Sequence, residues 1–386
     1  MLELLFLLLP VAAAYGWYMG RRSVRLSQQR NQSSLSKNYV EGLNYLLSDQ
    51  PDKAVDRFIE LLQVDSETFD THLSLGNLFR KRGEVDRSIR LHQNLIARPN
   101  LTLEQRDLAM MELAKDYLAA GLFDRAEEIL LQLVKEPDHS EEAEIQLLSI
   151  YQANKEWWKA IRLVKRFKRI DRKRLIPQVA HFYCELAQLE EAHSEKVKHW
   201  FKALKVDPAC GRANLELFRI ALQTDNNDEA VKVLERLAEH SPEWFVEALP
   251  DAHGCFSGHQ QLNQYLHLLE RVWQKQPLAS TALEMADCLV ELQRKDEAKA
   301  LVMNQLKRHP SMRVFHRLIT VQAEALPDAS ASNSLVLLGD LVKQQIKLRP
   351  KYRCQQCGFP GHSLYWQCPS CKSWGQILRI RGLDGE

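Results

Sequence analysis

Small, aromatic and aliphatic residues recur along this chain at fixed offsets, with polar residues between them. Gly42 and Tyr45 lie three apart, Ala54 follows nine later and Phe58 four after that, ahead of the pair Leu61-Leu62. The same skeleton returns 34 residues on as Leu75-Gly76, Phe79, Ser88 and Leu95. It recurs as Ala114, Tyr117, Ala126, Leu130 and Leu133, then as Leu148, Tyr151, Ala160, Val164 and Phe167. Further on the pattern is carried by Pro208, Pro242, Pro277 and Pro310, spaced 34, 35 and 33 apart.

Offsets of three and four put apolar residues on one helix face, and a period near 34 built from two such helices is the tetratricopeptide pattern. The small residues let the helices of a pair approach closely, and the large ones fill the space between neighbouring pairs. Proline closes the second helix because it has no N–H to donate. One pair cannot bury its own apolar face, so pairs must stack. The expected fold is all-α: a solenoid of about eight to nine tetratricopeptide repeats over residues 38–350. Turn formers mark its corners at Gln50-Pro51-Asp52, Arg82-Gly83-Glu84, Ala120-Gly121-Leu122 and Asp225-Asn226-Asn227-Asp228. Two places break the spacing. Ser88 and Ala126 are 38 apart, so Ala97 to Gln105 carries extra residues, and Leu326 to Asn333 reads as a polar loop inside the last helical pair.

Ahead of the repeats, residues 4–19 are apolar and uncharged, and residues 1–20 as a helix span roughly 30 Å, the thickness of a bilayer core. A secretory signal would carry its basic residues before the apolar run. Here Arg21, Arg22, Arg25, Arg30 and Lys37 follow it, which predicts an uncleaved single-pass transmembrane anchor with the remainder of the chain in the cytoplasm. Trp17 and Tyr18 fit an aromatic belt at that interface. Residues 21–37 form a short polar linker, so the first repeat must lie close to the membrane.

A composition of 45% hydrophobic and 26% charged residues suits a well-packed chain, and a net charge of +2 gives no reason to expect a nucleic-acid partner. The charge is unevenly placed: Lys155, Lys159, Arg162, Lys165, Arg166, Lys168, Arg169, Arg172, Lys173 and Arg174 form a basic run that reads as a solvated helix face, or as a contact for anionic lipid or an acidic protein. Trp157-Trp158 beside it reads as packing. His181, His193, His199, His253 and His259 have no partner signature and read as ordinary core or surface histidines, so no enzyme activity is expected.

Eight cysteines divide into two groups. Cys184, Cys210, Cys255 and Cys288 are scattered through the repeats as small buried thiols, while the other four are clustered: Cys354 and Cys357, ten intervening residues, then Cys368 and Cys371. Two C-x2-C pairs present four thiolates to one tetrahedral ion, and in a reducing compartment disulfides are disfavoured. Gly358 suits the left-handed turn that follows such a pair. Spacing does not separate iron from zinc. Tyr352, Phe359, Tyr365, Trp366 and Trp374 are too many rings for a free-standing module of this size, so packing on the last helices at Leu341 to Leu348 is expected. The metal is then a structural staple, with electron transfer at an iron site as the alternative.

The apolar start Met1-Leu-Glu-Leu-Leu-Phe-Leu-Leu-Leu-Pro10 ending in Gly20-Arg21-Arg22, the repeat opening Tyr39-Val-Glu-Gly-Leu-Asn-Tyr-Leu-Leu47 and the two cysteine pairs together resemble the lipopolysaccharide assembly protein B (LapB, or YciM) family of Gram-negative bacteria over the full length. The resemblance implies a non-enzymatic adaptor of the bacterial inner membrane that promotes degradation of the LpxC deacetylase by the FtsH protease. It implies restraint by the membrane protein PbgA (YejM) through the membrane segment. The same architecture suits a scaffold gathering lipopolysaccharide assembly and transport enzymes, the alternative to the adaptor. It also implies that residues 351–386 are a rubredoxin-like metal-binding domain with one iron or zinc ion on Cys354, Cys357, Cys368 and Cys371.

Overall fold

A computed structural model describes residues 69–167, 172–256, 258–325 and 329–386, with isolated positions among the first 53. The chain forms two compact units, 1–154 and 155–386. The expected anchor and the first repeat fall largely outside the described residues; among those described, no helix is long and apolar enough to cross a membrane.

The first unit holds α1 (Phe69–Lys81), α2 (Val85–Ile96), α3 (Leu103–Ala119), α4 (Phe123–Leu133) and α5 (Ser140–Ala153), each packed on the next. At the corner between α1 and α2, Gly83 takes φ +84° and Glu84 N–H donates to the Phe79 carbonyl, closing the helix end. Gly121 repeats this between α3 and α4 at φ +73°. Thr102 and Gln105 form a reciprocal capping box at the start of α3, after the longer connection expected there. Leu91, Leu95, Leu130 and Leu133 are essentially buried, and burial of each contributes on the order of 2 kcal/mol. The small positions of the repeat work as expected: a Cβ on Gly76 would stand 2.3 Å from His92 Nε2. Below it lies a polar knot. The fully buried Asp116 carboxylate accepts hydrogen bonds from Arg80 at 2.7 Å and His92 Nδ1 at 2.5 Å, and Ser88 Oγ stands 2.7 Å away.

The second unit continues with α6 (Trp157–Arg166), α7 (Arg172–Leu189), α8 (His193–Val206), α9 (Gly211–Gln223), α10 (Asn227–His240), the single turns α11 (Pro242–Phe245) and α12 (Leu249–Ala252), α13 (His259–Lys275), α14 (Ala279–Glu291), α15 (Lys295–Arg308), α16 (Met312–Ala325) and α17 (Ala329–Leu348). Pro208, Pro242, Pro277 and Pro310 each stand just past the end of a helix, at α8, α10, α13 and α15. The corners use non-glycine residues in the left-handed region, Asp225 at φ 51° and Gln293 at φ 62°, where the same carbonyl closure offsets the strain. Of the expected loop at Leu326 to Asn333, residues 326–328 lie outside the described residues, whereas residues 329–333 are helical as the first turns of α17, and Ser332 donates its hydroxyl to the Ala323 carbonyl at 2.8 Å.

After α17 the chain leaves the helical pattern. β1 (Tyr352–Cys354) is the centre of a three-stranded antiparallel sheet, with Tyr352 opposite Gly361 of β2 (Pro360–Gly361) and Cys354 opposite Ile377 of β3 (Ile377–Arg379). Helix periodicity carries no signal for this small sheet, whose core is Tyr352, Cys354, Cys368 and Ile377 with Phe359, Leu364 and Cys371 packed against it.

Candidate metal centre

Both cysteine pairs are built on the same turn. Gly358 N–H donates to the Cys354 carbonyl at 3.0 Å and Lys372 N–H to the Cys368 carbonyl at 3.0 Å, and each donor lies in the left-handed region, at φ 79° and 60°. Glycine makes this conformation at no steric cost; the side chain of Lys372 adds about 1 kcal/mol of strain that the turn must hold. The chain direction is fixed from outside, as Cys354 N–H donates to Phe359 O and Cys368 N–H to Ser373 O.

These turns bring the four sulfurs together. Cys354 Sγ lies 3.7 Å from Cys371 Sγ, Cys357 Sγ lies 3.7 Å from Cys368 Sγ, and all four are within 4.8 Å of one another. A tetrahedral ion with sulfur bonds of about 2.3 Å has edges of roughly 3.8 Å, so the cluster is consistent with one metal ion. Iron and zinc share this geometry. The local field prepares the ligands unequally. The hydroxyl and backbone N–H of Ser373 bring the Cys371 thiol down to about 6, while burial pushes Cys368 up to about 11 against the amides of Cys371 and Ser370. Burial also opposes ionisation of Cys354, but the N–H groups of Cys357 and Gln356 outweigh it and lower its pKa. Cys354 and Cys368 are buried, whereas Cys357 is exposed, so one edge of the cluster faces solvent.

The rings around the cluster do not pack where the sequence suggested. Leu341 and Leu348 are 53% and 72% exposed. Instead the module folds back over much earlier helices. Trp374 meets Trp157 edge-on at 5.9 Å and stacks on His181 at 5.3 Å, and Trp366 lies 4.8 Å from Trp244 with the Arg212 guanidinium 5.9 Å from its ring centre. Trp157 is therefore core, as read from sequence, whereas Trp158 is 47% exposed with Lys202 over its ring.

Polar groups fasten the same contact. Arg379 donates to Glu247 at 2.5 Å, to Glu386 at 2.7 Å and to the Val246 carbonyl, and Tyr352 Oη donates to Glu247 at 3.0 Å. The Glu386 carboxylate accepts from Ser280 N–H at 2.8 Å, at the N-terminus of α14, and from Arg313 at 2.8 Å. Burial would raise the pKa of Glu386, but Arg313 and Arg379 hold it down. Tyr352 is pushed up to about 12 by burial and by Glu247, so it remains a donor. Glu247, Ser280, Arg313 and Glu386 had no signal in the sequence, because nothing in local spacing links positions so far apart.

The histidines divide. His193 and His259 are exposed at helix starts, His199 is buried, His181 lies under the module, and His253 pairs with Glu284 at 2.9 Å and Glu291 at 3.1 Å.

Comparison with known proteins adds to this geometry. Residues 352–378 match the family described as a rubredoxin metal binding domain, and residues 71–105 match the tetratricopeptide repeat. Lipopolysaccharide assembly protein B of Escherichia coli is 43% identical over 389 residues, covering the whole of both chains. The protein of the same name from Haemophilus influenzae is 42% identical over 390 residues, covering 98% of each.

Proposed function

The chain belongs to the lipopolysaccharide assembly protein B family, and from that premise we propose that it is a non-enzymatic adaptor in lipopolysaccharide assembly at the bacterial inner membrane. In this reading the helical pairs hold the LpxC deacetylase and residues 1–20 keep the chain at the membrane. The FtsH protease degrades the client, and the membrane protein PbgA (YejM) restrains the process. Full-length kinship carries the proposal. The architecture supports it, since stacked helical pairs offer extended faces that suit a protein segment.

Cys354, Cys357, Cys368 and Cys371 hold one iron or zinc ion in this reading, and their sulfur separations fit it. The ion supplies folding free energy to a module whose own core is small, four buried residues with three partly buried ones packed against them. Because that module is fastened to α7, α14 and α16, its folding also braces the helices.

The test is crosslinking of the full-length chain in cells, purification from solubilised membranes, and identification of what is attached, alongside the half-life of LpxC with and without the chain. Co-purification of FtsH and LpxC, with LpxC long-lived when the chain is removed, is expected. Recovery of other assembly enzymes with LpxC turnover unchanged would replace the adaptor with a scaffold.

A further inference from the structure

A second set of soft donors lies inside the helices, away from the four-cysteine cluster. His181 and Cys184 are one turn apart on α7, and Cys210 is the N-cap of α9. Cys184 Sγ and Cys210 Sγ are 3.8 Å apart, and a ring nitrogen of His181 lies within 4.8 Å of both. The three residues are 5%, 0% and 3% exposed. The chain places them 26 residues apart in sequence for the two thiols, so the fold, and no local motif, assembles them.

Contact between two buried thiols is by itself ordinary packing. Beside the thiols lies the His181 imidazole, whose Nδ1 is buried with no hydrogen-bond partner among the described residues. An unpaired buried nitrogen costs about 1–3 kcal/mol. Asn214, one turn beyond Cys210, likewise leaves Oδ1 buried and unpaired. Burial, aided by Arg212, brings His181 down to about 3, so the ring is neutral, the form that binds metal. The Cys210 thiol is lowered by its contact with Cys184 and, against burial, by the Ala213 N–H at the start of α9, while burial and that same contact raise Cys184, so the pair gives up one proton readily and a bound cation has to displace the second.

We propose that His181, Cys184 and Cys210 bind a second thiophilic d10 cation, Zn2+ or Cu+, that ties α7 to α9 beneath the C-terminal module. Two thiolates bonded to one such ion at about 2.3 Å stand roughly 3.8 Å apart, which is the separation observed. A neutral imidazole and two thiolates give Zn2+ a neutral site, the arrangement a dry interior tolerates best, whereas Cu+ is satisfied by three soft ligands. Trp366 and Trp374 cover His181, so this ion is sealed in when the module docks.

The test is a metal count on the full chain, purified under reducing conditions and then offered one further equivalent of Zn2+ or, anaerobically, of Cu+. Elemental analysis is expected to give two bound ions per chain for the wild type and one for Cys210→Ser. Which metal fills the second position separates zinc from copper. Serine is a better helix N-cap than cysteine, so the variant is expected to keep its helical circular dichroism and its four-cysteine ion. One ion in the wild type, two retained in Cys210→Ser, or a wild-type mass two daltons low from a Cys184–Cys210 disulfide would each overturn the proposal.

Discussion

The buried polar knot under Gly76 and the buried polar seam under the C-terminal module are built from the same parts, an arginine set between carboxylates, yet they are assembled differently. Arg80, Ser88, His92, Glu112 and Asp116 lie on consecutive helices, with partners at most 36 residues apart. Arg379, Glu247, Ser280 and Glu386 join partners as far as 133 residues apart. The first knot closes as each helix adds to the last, at little cost in loop closure. The second closes only when the module has folded and come back to the helices. Local stacking and long-range docking are therefore expected to be separable steps, and a metal ion on the four cysteines is expected to bear on the second.

The largest effect expected follows from withdrawing the metal. Chelation under reducing conditions removes on the order of 10 kcal/mol of folding free energy from the module. Amides of residues 352–379 are expected to lose their hydrogen-exchange protection while those of α1 to α5 keep theirs. Equal loss in both places would mean that stacking and docking are one cooperative step. Next is Arg379→Met, which leaves Glu247 with Tyr352 alone and the nearly sealed Glu386 with Arg313 and Ser280, and is expected to weaken docking by about 3 kcal/mol, the low end for a broken buried pair. In denaturant titration the module should come away before the helices unfold. Asp116→Asn breaks the local knot and is expected to cost about 2 kcal/mol, less than Arg379→Met because Arg80 retains Glu112 and is 18% exposed. Exchange should then rise across α1 to α3 and leave the module unchanged.

The same division decides what was legible in the sequence. Gly76, Ser88, Ala126 and the four spaced prolines act between neighbouring helices, so period alone revealed them. The four cysteines were legible because each pair folds on its own turn, down to the left-handed Gly358. The equivalent turn at Lys372 was hidden by its side chain. The short sheet, the docking of Trp366 and Trp374 on α7 and α11, and the meeting of Cys184 with Cys210 are all long-range, and no spacing rule reaches them. The expected packing on Leu341 to Leu348 failed for this reason: nearness in sequence stood in for nearness in space.

The smallest expected effect tests whether a half-exposed link in the second unit adds anything to these buried ones. Burial pulls the pKa of His253 down, but Glu284 and Glu291 outweigh it and leave the group above its ordinary value. A histidine raised in the folded state stabilises when charged. Its contribution is fully present below about 6.5 and is lost as pH rises through the folded value. The side chain is 34% exposed, so solvent screening limits the gain to a few tenths of a kcal/mol. His199 is shifted the other way, chiefly by burial and by Lys202, so the wild-type melting curve alone mixes two opposite slopes. The difference between wild type and His253→Gln isolates the one of interest. At pH 6 the variant is expected to melt about 1 °C lower, and at pH 8.5 the gap should close. A gap that widens with pH would mean that Glu284 and Glu291 stabilise the neutral ring, and that the link acts as a hydrogen bond and not as a charge pair.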